Sequence, residues 1–336
     1  MACIGIVGSG FGLYGYLPAL CRCDHSVILP ARYKPAFQGR KELARYSSKV
    51  RWVQDEEAVL AVSEGIVLAL PPTFQSKYLP FVVARNNLSS LFLEKPLAST
   101  PETAMYHLEN LINADKKFRI NYSFRYLDWA SQVKAALIRA CTDAILTIDW
   151  RFMSHHYQFN LNNWKRYKSE GGGVIRFYGI HLIALLSEFG YSRVAYSTTY
   201  GISPDQPSRW SAVLQGSGLP ECQLQVDSCS DAQRFHVSIA SRIGLDSGSL
   251  DVQIDDPFQR ATPQTEDQDR RVQFIERLCR TLDTTSDEES YLHHVYIATN
   301  KFWHEIEGVT IARLPDQAVS PDQRTAQQPM GRTVCD

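Results

Sequence analysis

The apolar run Ile4-Gly-Ile-Val7, followed by glycines at 8, 10, 12 and 15, constrains this chain more than any other stretch. Leu17-Pro-Ala-Leu20 comes directly after it. That order predicts a strand, a tight turn and a helix. Such a turn leaves bare backbone N–H groups at a helix N-terminus, where hydrogen bonds and the helix dipole both favour an anion. Glycine is required where a side chain would hold a phosphate away. Two registers approach G-x-G-x-x-G. Starting at Gly8, the third glycine position holds Leu13; Gly10, Gly12 and Gly15 also fit the spacing, but then the strand ends two residues late. The first register is preferred, because the phosphate glycine follows its strand immediately. The cradle is then Gly8, Ser9, Gly10, Phe11, Gly12 and Leu13.

Beyond the turn, strand-like apolar runs at 26–31, 50–53, 65–70, 91–93 and 118–122 alternate with helix-like segments at 38–46, 55–62, 74–86 and 101–115. Alternation of this kind predicts a doubly wound parallel sheet, an α/β Rossmann domain over residues 1–122. The run at 65–70 ends in Leu70-Pro71-Pro72, which places a proline turn at the carboxyl-end crevice where ligands bind such sheets. After the second strand come Arg32-Tyr33-Lys34, where an acid would take the ribose hydroxyls of NAD. No acid stands there. Arg32 and Lys34 suit a 2′-phosphate, and Tyr33 or Arg32 suits stacking on adenine. The expected cofactor is therefore NADP(H) in preference to NAD(H).

The second half reads differently. A helix at 129–140 and a strand at 144–152 precede a polar stretch. Strand-like runs at 194–200, 210–215, 222–227, 235–240 and 249–254 then follow without a long helix between them. This predicts an α+β domain over 123–315 with a large, mostly antiparallel open sheet, one face packed on helices and the other available to a partner. Helices are expected at 270–282 and 291–307. Residues 316–336 are polar and aperiodic, and read as a disordered tail.

Composition narrows the function. The 336 residues are 44% apolar and 21% charged, with a net charge of −1, which gives no basic footprint for nucleic acid and no membrane partner. No apolar run reaches the length of a membrane span, and no basic n-region precedes the first strand, so a cytoplasmic protein is expected. None of the eight cysteines forms C-x-x-C, and they read as free thiols. Neither Cys21-Arg-Cys23 nor the His155-His156 and His293-His294 doublets have a second ligand group at metal spacing, so no metal site is expected.

The opening glycine turn with Leu17-Pro-Ala-Leu20, and Glu94-Lys95-Pro96 at a strand end some seventy residues on, resemble the glucose–fructose oxidoreductase / inositol dehydrogenase / rhizopine catabolism family of NAD(P)-dependent oxidoreductases. Asn121-Tyr-Ser-Phe-Arg125-Tyr126 and Gly171-Gly172-Gly173…Gly179-Ile-His181 extend the resemblance to about residue 312. It implies that Lys95 sits beside the nicotinamide and the reacting carbon, with Glu94 next to it, and that His181 is the acid/base near the substrate oxygen. An ammonium there stabilises developing oxyanion charge, and an imidazole titrates near working pH. Tyr178 is a further candidate donor. Tyr122, Arg125, Trp164 and Arg166 are candidate substrate-wall residues. The pattern is broken at Phe177 and Ala184, where the family carries acids.

The resemblance also implies a homodimer or homotetramer formed through the second sheet. The expected function is hydride transfer at a hydroxyl or ketone carbon of a sugar or nucleotide sugar. Two alternatives stand beside it: reduction of a C=C or C=N bond, as in biliverdin reductase-like relatives, and a non-catalytic NADP-binding regulator.

Overall fold

The structure, a computed structural model, describes residues 2–241, 249–258, 269–283 and 285–314. The expected tail at 316–336 lies outside them.

The first half alternates as expected. Strands β1 (Cys3–Val7), β2 (Ser26–Pro30), β3 (Val50–Val53), β4 (Gly65–Leu68), β5 (Ser90–Leu93) and β6 (Lys117–Ile120) form a parallel sheet of order β3-β2-β1-β4-β5-β6. This is the doubly wound order, whose switch point lies between β1 and β4. Every residue of β4 is buried, as a run without polar alternation requires. Helices α1 (Leu17–Arg22), α2 (Lys34–Gln38), α3 (Glu56–Val62), α4 (Pro72–Val83) and α5 (Pro101–Asn113) make the connections. Local chemistry sets their starts. Asp55 accepts from Ala58 N at 2.9 Å to cap α3, and Thr100 caps α5 with Pro101 at its first turn. One expected helix is absent. Over 38–46 the chain leaves α2 at Gly39, passes Arg40 in an extended conformation and continues as a 3₁₀ stretch, Lys41–Lys49.

The second half holds α6 (Asp128–Arg139), β7 (Ala144–Met153), α7 (His155–Gln158), α8 (Ile180–Phe189), β8 (Tyr191–Gly201), β9 (Pro207–Gly216), β10 (Glu221–Asp227), β11 (Cys229–Ser241), β12 (Leu250–Ile254), α9 (Val272–Arg280), α10 (Ser286–Val309) and β13 (Ile311–Arg313). Its seven-stranded sheet runs β12-β11-β7-β10-β9-β8-β13. The β7–β10 and β8–β13 pairings are parallel and the others antiparallel. Alternate residues of its central strands, among them Leu146, Ile148, Trp150, Trp210, Leu214 and Phe235, are buried on the helix side. The other face carries Thr147, Asp149, Ser211, Gln223 and Gln225. None of the described helices is long and apolar enough to cross a membrane, and no described cluster of His, Cys, Asp and Glu has the makings of a metal site.

Two helices from the end of the chain reach back to the first sheet. Val272, Ile275, Leu278 and Cys279 of α9 share a core with Ile4, Ile6, Leu13, Leu17 and Leu20. α10, started by a Thr285/Glu288 capping box, packs along α5 and α8. A buried ion pair fixes α10 to the polar loop region. Arg176 Nε donates to Glu307 Oε1 at 2.7 Å, its Nη2 donates to Oε2, and both side chains are under 10% exposed. Arg176→Met removes the bidentate partner of a buried carboxylate and leaves it Trp303 Nε1, which donates at 2.7 Å, and the half-exposed Lys168 ammonium at 3.5 Å. The variant should lose about 3 kcal/mol of stability, measured by urea unfolding; a loss under 0.5 kcal/mol would refute the structural role of the pair.

Candidate active site

The glycine turn lies at the switch point. Gly8 has φ +125°, and a Cβ on it would meet the Ala69 carbonyl oxygen at 2.2 Å, so this residue must be glycine. Ser9 and Gly10 are exposed, and a Cβ on Gly10 would meet nothing within 4 Å. Phe11 leads into a π-helical turn, Gly12–Tyr16, which continues as α1. Leu13, in the place of a third glycine, points into the core and is fully buried.

Tyr33 departs from its expected role. It does not offer a face for adenine: the ring is 5% exposed, and its hydroxyl accepts from Gly8 N at 2.9 Å beneath the turn. The apolar ring is better placed in the core, and the phenol satisfies an N–H that the turn leaves open. Arg32 is exposed and paired with Glu56 at the start of α3. Lys34 lies over the Trp52 ring, 5.7 Å from its centroid. Leu70 and Pro71 follow β4 at the same edge, and Pro72 opens α4.

Glu94-Lys95-Pro96 follows β5 and is held by one side chain. The amide of Gln75, fully buried on α4, donates to Glu94 O at 2.8 Å and Leu97 O at 3.0 Å, and accepts from Glu94 N at 2.9 Å. The Glu94 carboxylate accepts from Asn121 Nδ2 at 2.8 Å. Burial pushes its pKa up, opposed by the Lys95 charge and the Asn121 bond. Lys95 Nζ donates to the carbonyl of Phe177 at 2.6 Å and lies 4.1 Å from the centroid of the Phe177 ring. Burial draws its pKa from 10.5 down to about 7; Glu94 opposes the shift, and the charges of Arg271 and Lys165 add to it. The backbone at 177 therefore holds the ammonium, although the side chain there is not an acid.

The other wall comes from the second half. Phe177 and Tyr178 lie in a second π-helical turn, Val174–Gly179, a geometry that recurs at functional sites. A Cβ on Gly172 would meet Trp164 O at 2.2 Å and the Lys165 carbonyl carbon at 2.6 Å. The glycine run thus admits the Trp164-Lys165 backbone, and Lys165 Nζ lies 5.3 Å from the Phe177 ring centroid. The Trp164 ring meets Phe177 edge-on at 5.2 Å. Tyr178 packs against Trp150, Phe152 and His156, and burial raises its pKa. His181 on α8 stacks on Phe124 at 4.8 Å, and its Nδ1 has no partner among the described residues. Burial, reinforced by the charges of Lys95 and Arg271, holds His181 neutral, with a pKa well below its ordinary value. An imidazolium near neutral pH, expected from an unperturbed histidine, is not available here.

Lys95, Trp164 and Tyr178 thus gather around the Phe177 ring, His181 lies near enough to feel the Lys95 charge, and Arg271, over Phe11, links the glycine turn to them. Arg125 is committed elsewhere, to Glu188 at 2.8 Å, where Tyr291 also bonds. Tyr122 is buried against Tyr296. Arg166 donates to His156 O at 2.6 Å and to Asn160 Oδ1. Three residues that the sequence reading did not single out belong to the cleft or its frame: Gln75, Lys165 and Arg271. Arg271 pairs with Asp269 and lies 4.4 Å from the centroid of the Phe11 ring, above the glycine turn.

No protein-family model matches the chain, and no curated protein matches it. Solved structures do. An oxidoreductase from Thermotoga maritima is similar over 92% of this chain and 96% of its own, at 16% identity and a TM-score of 0.69. The WlbA dehydrogenase from Bordetella pertussis, in complex with NADH and UDP-GlcNAcA, matches over 92% and 96% at 15% identity and a TM-score of 0.65. KijD10, a 3-ketoreductase from Actinomadura kijaniata in complex with NADP, matches over 93% and 99% at 11% identity and a TM-score of 0.66. The chain therefore has the fold of these oxidoreductases across nearly all of its length.

The depressed Lys95 pKa links stability to pH. The unfolded chain binds the Lys95 proton up to about 10.5 and the folded chain only to about 7, so stability rises with pH through that window. Lys95→Met lacks this dependence. It should gain on the wild type by roughly 4 kcal/mol at pH 6, relative to the difference at pH 10. Urea unfolding of both proteins at the two pH values measures this; a gap independent of pH would contradict the burial of the ammonium.

Proposed function

We propose that the chain is a member of the resembled family and an NAD(P)-dependent oxidoreductase acting on a hydroxyl or ketone carbon of a sugar or nucleotide-sugar substrate. Residues 1–122 form the dinucleotide-binding domain, and residues 123–315 the substrate and oligomerisation domain. The observation that carries this reading is Lys95: an amine titrating near pH 7, held at a strand end beside the switch-point crevice and facing Phe177 and His181.

The glycine turn fits a dinucleotide. It is open at Ser9 and Gly10, it precedes a helix, and only glycine fits at position 8. Gly8 to Leu13 would hold the pyrophosphate, Leu70, Pro71 and Pro72 the ribose–nicotinamide side, and Arg32 and Lys34 a 2′-phosphate, which favours NADP(H) over NAD(H). The bound nicotinamide supplies or accepts the hydride. In oxidation, the Lys95 amine takes the hydroxyl proton as the carbonyl forms. In reduction, its ammonium returns that proton and stabilises the oxyanion. Neutral His181 orients the same oxygen through its unpartnered Nδ1, and Trp164 and Tyr178 wall the ring of the substrate. The face of the second sheet turned away from the helices would join two or four copies.

NADPH oxidation over a panel of ketosugars tests the reaction. Lys95→Met should lower kcat about 10²–10⁴-fold with NADPH affinity unchanged. Binding of NADPH without turnover of any ketosugar by the wild type would remove the enzymatic reading. Separately, Arg32→Ala should weaken NADPH binding about ten-fold and leave NADH binding unchanged, measured by fluorescence titration; equal weakening of both would reject the 2′-phosphate assignment.

A further inference from the structure

Lys165 is a half-buried cation with no carboxylate partner among the described residues. Among the described residues its ammonium meets the Phe177 ring, a cation–π contact. Lys95 lies against the same ring and likewise has no ion pair among the described residues. Burial disfavours the protonated form of both lysines, and the charge of Arg271 adds to it. Of the other titratable groups, the Glu94 charge reaches both lysines and partly offsets the effect of burial, but its carboxylate is bonded to Asn121 and makes no ion pair with either lysine among the described residues. His181 and His156 are held neutral, the latter with a pKa of about 4. Asp269 is taken by Arg271.

The cations divide by position. Arg271 lies over Phe11 of the glycine turn, on the side of the dinucleotide. Lys165 lies across Phe177, among Trp164 and the elements of the second half, on the side of the substrate. An acid at 177 would have neutralised both lysines from between them; phenylalanine leaves that charge to the ligand.

We propose that Lys165 is the seat for an anionic group, a carboxylate or phosphate, carried by the substrate, with the Phe177 ring as the flat wall between that group and Lys95. The proposal rests on the oxidoreductase reading and narrows its substrate class to acidic or phosphorylated sugars. Lys165 is then a specificity-determining residue and takes no part in proton transfer.

The test uses the full-length protein saturated with NADP⁺ and matched ligand pairs titrated calorimetrically. Glucuronate against glucose and UDP-glucuronate against UDP-glucose probe a carboxylate; glucose 6-phosphate against glucose probes a phosphate. At least one acidic member should bind about ten-fold tighter than its neutral partner, the scale of one charge-assisted hydrogen bond. Lys165→Met should bring that preference to within two-fold, Lys165→Arg should keep it, and NADP⁺ affinity should be the same in all three proteins. Acids that bind no tighter than their partners, a preference that survives Lys165→Met, or no binding of any acid at millimolar concentration would each overturn the proposal. The two readings fail separately. Lys165-dependent acid binding without NADPH formation would retain the anion seat and remove the oxidoreductase. Turnover of neutral sugars with no acid preference would do the reverse.

Discussion

A single buried carboxamide sets the frame of the cleft. Gln75 is a fully buried polar residue of α4, and its amide makes donor and acceptor bonds to the backbone on both sides of Lys95. In a low-dielectric interior such bonds are costly to leave unmade, so the turn has one conformation in which all are satisfied. The direction in which Lys95 leaves β5 follows from that. The depressed pKa follows in turn, because a fixed backbone keeps the ammonium out of water and against Phe177. The second half meets this turn with a carbonyl in place of a carboxylate, which holds the amine without neutralising it.

Much of the architecture could be read from the chain. Runs such as Gly65–Leu68 have no polar alternation, and only burial on both faces accommodates them. The glycine turn, Lys95 and the Gly171–His181 segment carry unusual residue types at fixed spacing, so they stand out without coordinates. The 38–46 segment misled because its apolar spacing suits either helix type, while Gly39 and the extended Arg40 break the α-helical ladder. Tyr33 misled because a sequence does not tell a ring laid on a ligand from a ring laid on the core.

The legibility of the cleft fails where neighbours diverge. Lys165 and Arg166 are adjacent cations in a short 3₁₀ turn, a stretch too brief for periodicity to say which faces inward. Coordinates send Lys165 to Phe177, and Arg166 to His156 and Asn160. Arg125 offered an exposed-looking charge beside an aromatic, yet its partner Glu188 lies 63 residues away in sequence, a distance no local pattern bridges. Gln75 did leave a signal: a polar side chain at a position that the core of α4 claims. His181 was legible as a residue but not in its charge state, which depends on the Phe124 ring and on the burial around it.

The return of α9 to the first sheet has a consequence for how the protein comes into being. The core containing Ile4, Leu13, Leu17 and Leu20 is closed by Val272, Ile275 and Leu278. During synthesis, the nascent first domain therefore emerges with one apolar flank bare, and it stays bare until more than 150 further residues have left the ribosome. Over that interval the flank is a surface for chaperones or for misassembly. The glycine turn, whose Leu13 belongs to this same core, reaches its final setting only when α9 has docked.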